Sequence, residues 1–354
     1  MNQKVYITQN LIEDLRKECD GRSANSVFFL VDENTRKLCL PKFMEDDFFG
    51  KVTVIEIKAN DDHKTLESLA SVWTSLQKNG ATRKSLMINL GGGMVTDLGG
   101  FAASTFKRGM EYVNVPTTLL GAVDAAVGGK TGINFGGLKN EIGVINSSKS
   151  VVINADFFRT LDAVNLRSGY AEMIKHGLIS NKEIWKHILS FDLENVDYNR
   201  LSELLLESIS VKEKVVEIDP TEKGLRKVLN FGHTVGHAFE SYAMETGKPV
   251  LHGYAVAWGM ISELYLSYKL LGFPKETLST AVRMIKENYG ALPIKCDIYD
   301  HLYDLMTHDK KNEGDGRILF SLLKNIGEIE INVAVSKKDI LDSLDFYRET
   351  VGLA

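Results

Sequence analysis

Near residue 155 the rhythm of this sequence changes, and that change limits the fold more than any single motif does. Before it, short β-rich runs (SVFFLVD, VTVIEI, SLMINL, YVNVP and SVVINAD) alternate with helical patterns such as TLESLASVWTSLQKNG. Such alternation marks βαβ units around a largely parallel sheet. After Asp156 the strand signals nearly vanish. Long helical periods replace them in LRSGYAEMIKHGLI, LSELLLESISVKEKVVEI, LNFGHTVGHAFESYAM, AVAWGMISELYLSYKLLG and LSTAVRMIKENYG, with one weak β-like patch, RILFSLLKNIGEIEINV. The expectation is an α/β domain over residues 1–155, a mainly α-helical domain over residues 156–354, and a ligand cleft where the two meet. No internal repeat, low-complexity tract or long linker interrupts either part.

Composition narrows the function classes. With 354 residues, 44% of them hydrophobic, the chain can bury substantial cores in about two domains. Its 42 Lys and Arg against 47 Asp and Glu leave a net charge of -5. That balance argues against nucleic-acid or anionic-membrane partners, since a phosphate surface is met by surplus cations. Cys19, Cys39 and Cys296, odd in number and without CxxC spacing, read as reduced thiols, which favours the cytoplasm. The opening MNQKVYITQNLIEDLRK lacks the apolar core and cleavage site of a secretory signal. Residues 250–273, the most apolar later stretch, are broken by His252, Glu263 and Lys269 and read as a buried helix, not a membrane span.

The strand-like SLMINL runs directly into GGGMVTDLGG, where Gly91, Gly92 and Gly93 precede a segment able to open a helix. Glycines there let the backbone approach a pyrophosphate while N–H groups at the helix start face the negative charge. The spacing is not GxGxxG, and glycine turns also end strands for structural reasons. Thr117 and Thr118 follow Pro116 at the end of YVNVP, at the carboxyl edge where open α/β sheets take ligands, or else serve as a helix N-cap. In LLGAVDAAVGGKTGINFGGLKNEIG, Asp124 interrupts small apolar residues, and Lys130, Lys139 and Asn140 sit among glycines that predict short loops. A carboxylate in such surroundings needs a partner or a task; a structural Asp–Lys pair is the plainer alternative.

LNFGHTVGHAFE places His233 and His237 at i and i+4 on one helical face. Imidazoles so spaced can share a metal, although the glutamate of HExxH is missing. One core and one surface histidine is the structural alternative. His252 in LHGYAVAWG and Glu172 in GYAEMIKHG are further candidate ligands. One Glu with two His leaves coordination positions open, as a catalytic zinc needs, and the residues alone do not choose among the three histidines. Lys175 shares a face with Glu172; Lys212, Arg226 and Asn230 lead up to the histidine helix; HDKKNEGDGR supplies Lys310 and Lys311. Singly each reads as a solvated charge. Their proximity to the histidine and glycine motifs points instead toward a site.

Taken in order, GGGMVTDLGGFAAS, FKRG, VPTTLLGAVDAAVGGKTGIN, LKNEIG, SGYAEMIKHGLI, KGLRKVLNFGHTVGHAFE, LHGYAVA and HDKK make the chain resemble the 3-dehydroquinate synthase family, from about residue 30 to residue 320. The resemblance implies a Rossmann-like domain plus a helical domain, a tightly held NAD, a divalent metal (zinc or cobalt) and a homodimer. It also implies conversion of 3-deoxy-D-arabino-heptulosonate 7-phosphate into 3-dehydroquinate and phosphate, the second step of the shikimate pathway. The implied route is transient oxidation at C5, phosphate elimination, re-reduction, ring opening and aldol closure. Carried over by position, the metal ligands are Glu172, His233 and His252, leaving His237 as a catalytic group on the phosphate side. Implied NAD contacts are Asp32, Asp61, Lys64, Gly93, Met94, Val95, Thr96, Asp97, Thr117, Thr118, Lys130, Lys139, Phe157 and Thr160. Asp124, Lys130, Asn140, Lys175, Lys212, Arg226, Asn230 and Lys310 fall on the substrate, with Arg108 reaching in from a second subunit.

The chain departs from the family pattern at Asp61, where glutamate is usual, and at Asp162 and Asn165 in TLDAVNLRSG, where a Pro and a Glu are usual. Both departures bear on NAD contact and not on the chemistry. Competing readings are another sugar phosphate cyclase, disfavoured by Lys212, Asn230 and His237, and a metal-dependent glycerol or alcohol dehydrogenase, which has no use for the cations Lys130, Lys139 and Arg226. A non-catalytic NAD-binding regulator is disfavoured by the intact Glu172, His233 and His252.

Overall fold

The computed structural model describes residues 3–136, 138–307 and 318–353. The chain forms two compact units, each discontinuous in sequence: Met1–Leu166 with Tyr198–Ile209, and Arg167–Asp197 with Ser210–Ala354.

The first unit begins with β1 (Lys4–Ile7), α1 (Leu11–Glu18), β2 (Val27–Asp32), α2 (Glu33–Leu38), α3 (Pro41–Met44) and β3 (Thr53–Ile57). It continues with α4 (Leu66–Lys78), β4 (Leu86–Gly91), α5 (Gly93–Thr105), β5 (Glu111–Pro116), β6 (Lys130–Phe135), β7 (Leu138–Ile145) and β8 (Ser150–Ile153). Six strands form one sheet in the order β1-β8-β5-β4-β2-β3, every neighbouring pair parallel. The pleat sorts its side chains. Phe29, Val31, Ile88, Leu90, Val113 and Val152 face one layer with Leu11 and Leu15 of α1, while Phe28, Leu30, Met87 and Tyr112 face α4 and α5. A sheet covered on both faces needs mostly apolar residues, which accounts for the runs VFFLV and LMINL; the polar Asn89 in the second is buried and donates its amide to Asn114 Oδ1 at 2.9 Å. The chain reverses its direction across the sheet between β2 and β4, the topological switch at whose carboxyl ends open α/β sheets take ligands. The Rossmann-like reading is borne out here.

Two elements differ from expectation. β1 has only four residues, with an apolar run of just Val5, Tyr6 and Ile7; its pairing with β8, from Lys4 with Ser150 to Ile7 with Ile153, makes it a strand. The glycine-rich stretch predicted as loops is instead an antiparallel ribbon, β6 against β7, so Lys130, Lys139 and Asn140 stand on strands. Glycine serves close approach there, since a methyl group on Gly143 would meet the carbonyl oxygen of Thr131 at 2.1 Å.

The second unit takes most of α6 (Ala163–Ser180) and the end of α8 (Tyr198–Ile218), with α7 (Lys182–Leu189) between them. It adds α9 (His233–Glu245), α10 (His252–Leu271), α11 (Lys275–Tyr289), α12 (Tyr299–Thr307), a β9 (Leu319–Asn325)/β10 (Glu328–Ala334) hairpin and α13 (Lys337–Val351). The hairpin is the weak β-like patch. α10 is the hub: α9, α11, α13 and β9 all pack on it, and it is apolar nearly all round as a buried helix must be. No helix among the described residues is long and apolar enough to cross a membrane.

Candidate active site

In the first unit the residues expected to hold a dinucleotide gather where strands end. Asp32 closes β2 and caps α2, its Oδ1 accepting from the backbone N–H groups of Asn34 (2.9 Å) and Thr35 (2.8 Å). Gly93 to Asp97 form the opening turn of α5, whose first N–H groups precede any intrahelical acceptor and point toward the sheet edge. Thr118 accepts from Gly121 N–H at 3.0 Å, which is the capping role; Thr117, beside it, is buried. Lys64 is the electrostatic centre of this region. Its ammonium is buried, 2.6 Å from Asp97 Oδ2 and against Asn140 Oδ1. Burial pushes the Asp97 carboxyl up, and Lys64 holds it down against that rise. Asp61 pairs with Lys139 at 3.4 Å and accepts through its backbone from Asn134. Phe157 is buried, and Thr160 donates its hydroxyl to Phe157 O at 2.7 Å. Asp124 lies in a π-turn, Gly121–Ala125. Lys130 and Arg108 are exposed; Arg108 sits in a left-handed backbone conformation at φ 67.

In the second unit, the helical period placed the start of the histidine helix too early. Residues 225–230 form a tight 3-10 turn, Gly232 turns left-handed at φ 82, and α9 begins at His233. Glu172 and Lys175 project from one face of α6 and form an ion pair, both essentially buried. Glu172 Oε1 lies 3.5 Å from His233 Nε2 and 3.7 Å from His252 Nε2. The rings of His233, His237 and His252 cluster, with centroids 5.3 to 5.8 Å apart, and one nitrogen of each lies within 4.8 Å of the others. His233 Nδ1 is 3.1 Å from Phe231 O, and His252 Nδ1 is 3.0 Å from Glu240 Oε2. Both partners only accept, so a neutral ring carries its proton on Nδ1 and turns the lone pair of Nε2 toward Glu172.

Oε2 of Glu172 faces the Lys175 ammonium, but Oε1, which accepts no hydrogen bond among the described residues, has the two Nε2 lone pairs aimed at it, an arrangement that is repulsive unless a cation lies between them. The spacing agrees, because ligands about 2.1 Å from a tetrahedral metal stand about 3.4 Å apart. Arg226 is buried, donating to Pro220 O at 2.7 Å. Its turn is organised by Asp219, which accepts from the N–H groups of Lys223, Gly224 and Arg226. Burial raises the Asp219 carboxyl, and those three donors outweigh it, leaving it below the ordinary carboxylate range. Lys212 is buried on α8, and Asn230 donates to Glu222 at 3.0 Å. Lys310 and Lys311 lie outside the described residues.

Sequence reasoning missed Asp219, Glu240 and Glu263. Glu240 falls seven residues after His233 and Glu263 eleven after His252, spacings that return to the same helical face. A carboxylate at such a place in an apolar helix is the signal that could have found them.

The family models of the 3-dehydroquinate synthase N-terminal and C-terminal regions match residues 54–168 and 169–312. A 3-dehydroquinate synthase of Parabacteroides distasonis is 54% identical, over 99% of both chains. The chain belongs to the 3-dehydroquinate synthase family. A relative of that family from Clostridium tetani is 35% identical, over 97% of this chain and 91% of its own. Among solved structures, 2-epi-5-epi-valiolone synthase from Streptomyces hygroscopicus subsp. jinggangensis 5008, with NAD+ and Zn2+ bound, superposes with a TM-score of 0.82. It is 26% identical and covers 98% of this chain and 97% of its own.

Proposed function

We propose that this 3-dehydroquinate synthase family member converts 3-deoxy-D-arabino-heptulosonate 7-phosphate into 3-dehydroquinate and phosphate, as a carbon–oxygen lyase of the shikimate pathway. The observation that carries the chemical part is the pair of distances, 3.5 and 3.7 Å, from Glu172 Oε1 to the Nε2 atoms of His233 and His252, both of which suit ligands of one tetrahedral cation. Glu172, His233 and His252 would hold that metal, zinc or cobalt, which supplies Lewis acidity to substrate hydroxyls. The opening turn of α5, with Asp32, Asp61, Lys64, Thr117 and Thr118, would hold NAD, which would supply reversible hydride acceptance. The valiolone synthase carries the same two groups.

The chain's own residues bind and orient. Lys175, Lys212 and Arg226 are buried cations on a net-acidic chain and meet the substrate's carboxylate and phosphate. His237, whose ring stands 5.3 Å from that of His233, would move a proton in the phosphate-side role that the family likeness assigns. Asp124, Lys130, Asn140, Asn230, Lys310 and Arg108 keep the substrate-side roles that the family likeness assigns. Phe135, Leu138, Ile142 and Val144 form an exposed apolar row on the β6/β7 ribbon, and β7 pairs only with β6 among the described strands. An apolar row beside an open strand edge supports a homodimer.

The test is a direct assay with the heptulosonate phosphate, Zn2+ or Co2+ and trace NAD, following phosphate, 3-dehydroquinate and the absorbance of reduced nicotinamide. Equal amounts of phosphate and dehydroquinate without accumulating NADH are expected. Absence of phosphate with metal and NAD demonstrably bound defeats the substrate assignment, and steady NADH production from simple polyols marks a dehydrogenase instead.

A further inference from the structure

Two carboxylates with no part in the proposed chemistry join α9 to α10. Glu240, two turns beyond His233 on α9, is 5% exposed, and its Oε2 lies 3.0 Å from Nδ1 of His252, the first residue of α10. Glu263, three turns along α10 and fully buried, faces the opposite end of the pair. Its Oε2 accepts from Gly232 N–H at 2.6 Å and its Oε1 from Val235 N–H at 3.1 Å.

The start of a helix leaves N–H groups that a local Ser, Thr, Asp or Asn normally satisfies. α9 has Gly232 at that place, with no side chain to offer, so its cap arrives from α10. Burying a carboxylate is costly unless its lone pairs are used, and here both are used where they hold ligand-bearing ends in place. Each helix thus carries one proposed metal ligand and the carboxylate that holds the ligand-bearing end of the other.

We propose that Glu240 and Glu263 are positioning residues that form a reciprocal brace, setting His252 and His233 in ligand geometry before a cation arrives. Glu240 keeps the His252 proton on Nδ1 and the lone pair on Nε2. Glu263 holds the turn from Gly232 to Val235, and with it the height of His233. This inference rests on the Glu172, His233 and His252 reading of the site.

The experiment titrates Co2+ into the metal-free full chain, reading affinity by chelator competition and ligand geometry by the visible absorption of the bound ion. It compares wild type with Glu240→Ala, Glu240→Gln, Glu263→Ala, Glu263→Gln and His233→Ala, each checked for folding by circular dichroism. Glu240→Ala and Glu263→Ala should weaken Co2+ binding about 10- to 100-fold and alter the visible bands, as loss of an outer partner does. The glutamine variants should recover part of that loss, since an amide oxygen still accepts. Wild-type affinity and an unchanged spectrum in Glu240→Ala and Glu263→Gln overturn the brace, and those two variants decide the matter where Glu263→Ala does not fold. Wild-type Co2+ binding in His233→Ala defeats the ligand reading itself, a result distinct from failure of the brace.

Discussion

Replacing Gly259 with alanine puts a methyl group of α10 against the main chain at the start of α9. It would stand 2.2 Å from Gly232 O and 2.5 Å from Gly236 N, against 3.4 Å or more for an ordinary contact. Both colliding atoms belong to the main chain and have no rotamer to change, so the start of α9 must withdraw by about 1 Å. Overpacking of this kind costs about 1–3 kcal/mol, and rigid neighbours place it toward the upper end. The withdrawal also separates His233 from His252, and metal sites tolerate only about 0.2 Å in ligand distance. Divalent-metal affinity should therefore fall at least tenfold, which corresponds to about 1.4 kcal/mol. Urea denaturation of the metal-free protein reads the first effect, and Co2+ titration reads the second. An unchanged urea midpoint would refute the steric reasoning. Lost stability with wild-type Co2+ affinity would refute the claim that this helix contact sets the ligand spacing.

Lys64→Met leaves Asp97 without its counter-charge and raises its carboxyl further, beyond the rise that burial already causes. A carboxyl raised in the folded state stabilises below its unfolded pKa and loses that contribution as pH rises through the folded value. The deficit of Lys64→Met should thus be largest near neutral pH, at the low end of about 3–5 kcal/mol because the Asp97 side chain keeps 19% of its exposure. It should shrink on acidification; a deficit independent of pH in chemical denaturation contradicts this. Asp32→Ala should cost about 1 kcal/mol in the same measurement and Asp32→Asn nearly nothing, because asparagine can still cap α2; equal losses would show that the cap is not what stabilises there. Exhaustive chelation should abolish phosphate release, and Zn2+ or Co2+ should restore it; full activity in protein shown metal-free by elemental analysis excludes the metal. Ile142→Lys combined with Val144→Lys should yield a monomer by sedimentation, and a persistent dimer would place the interface elsewhere.

The parallel sheet was legible because strands buried on both faces are written as nearly continuous apolar runs, as in Val27 to Val31 and, apart from Asn89, Leu86 to Leu90. β6 and β7 were not, since Gly132 and Gly143 break the period-2 pattern and glycine marks turns more often than close strand pairs. The candidate site was legible as residue types: Glu172, Lys175, His233 and His252 are rare groups in apolar helices, and the structure brings them together. What holds them was hidden. Asp219 acts through three backbone N–H groups and Glu263 through two, and contacts to main chain leave no mark on the partner's identity.

The seating of β1 beside β8 also orders events in time. β1 is made early, yet its neighbour begins at Ser150, so at about 5–20 residues per second the strand waits roughly 7–30 s on the ribosome before it has anything to pair with. The first unit waits longer still, because Tyr198–Ile209 belongs to it and is made only after Arg167–Asp197 of the other unit. A nascent chain halted near residue 166 therefore holds a nearly whole sheet that lacks a helical segment. The early strand is among the later pieces to be secured, and a pause or truncation in that interval leaves an apolar face for chaperones to cover.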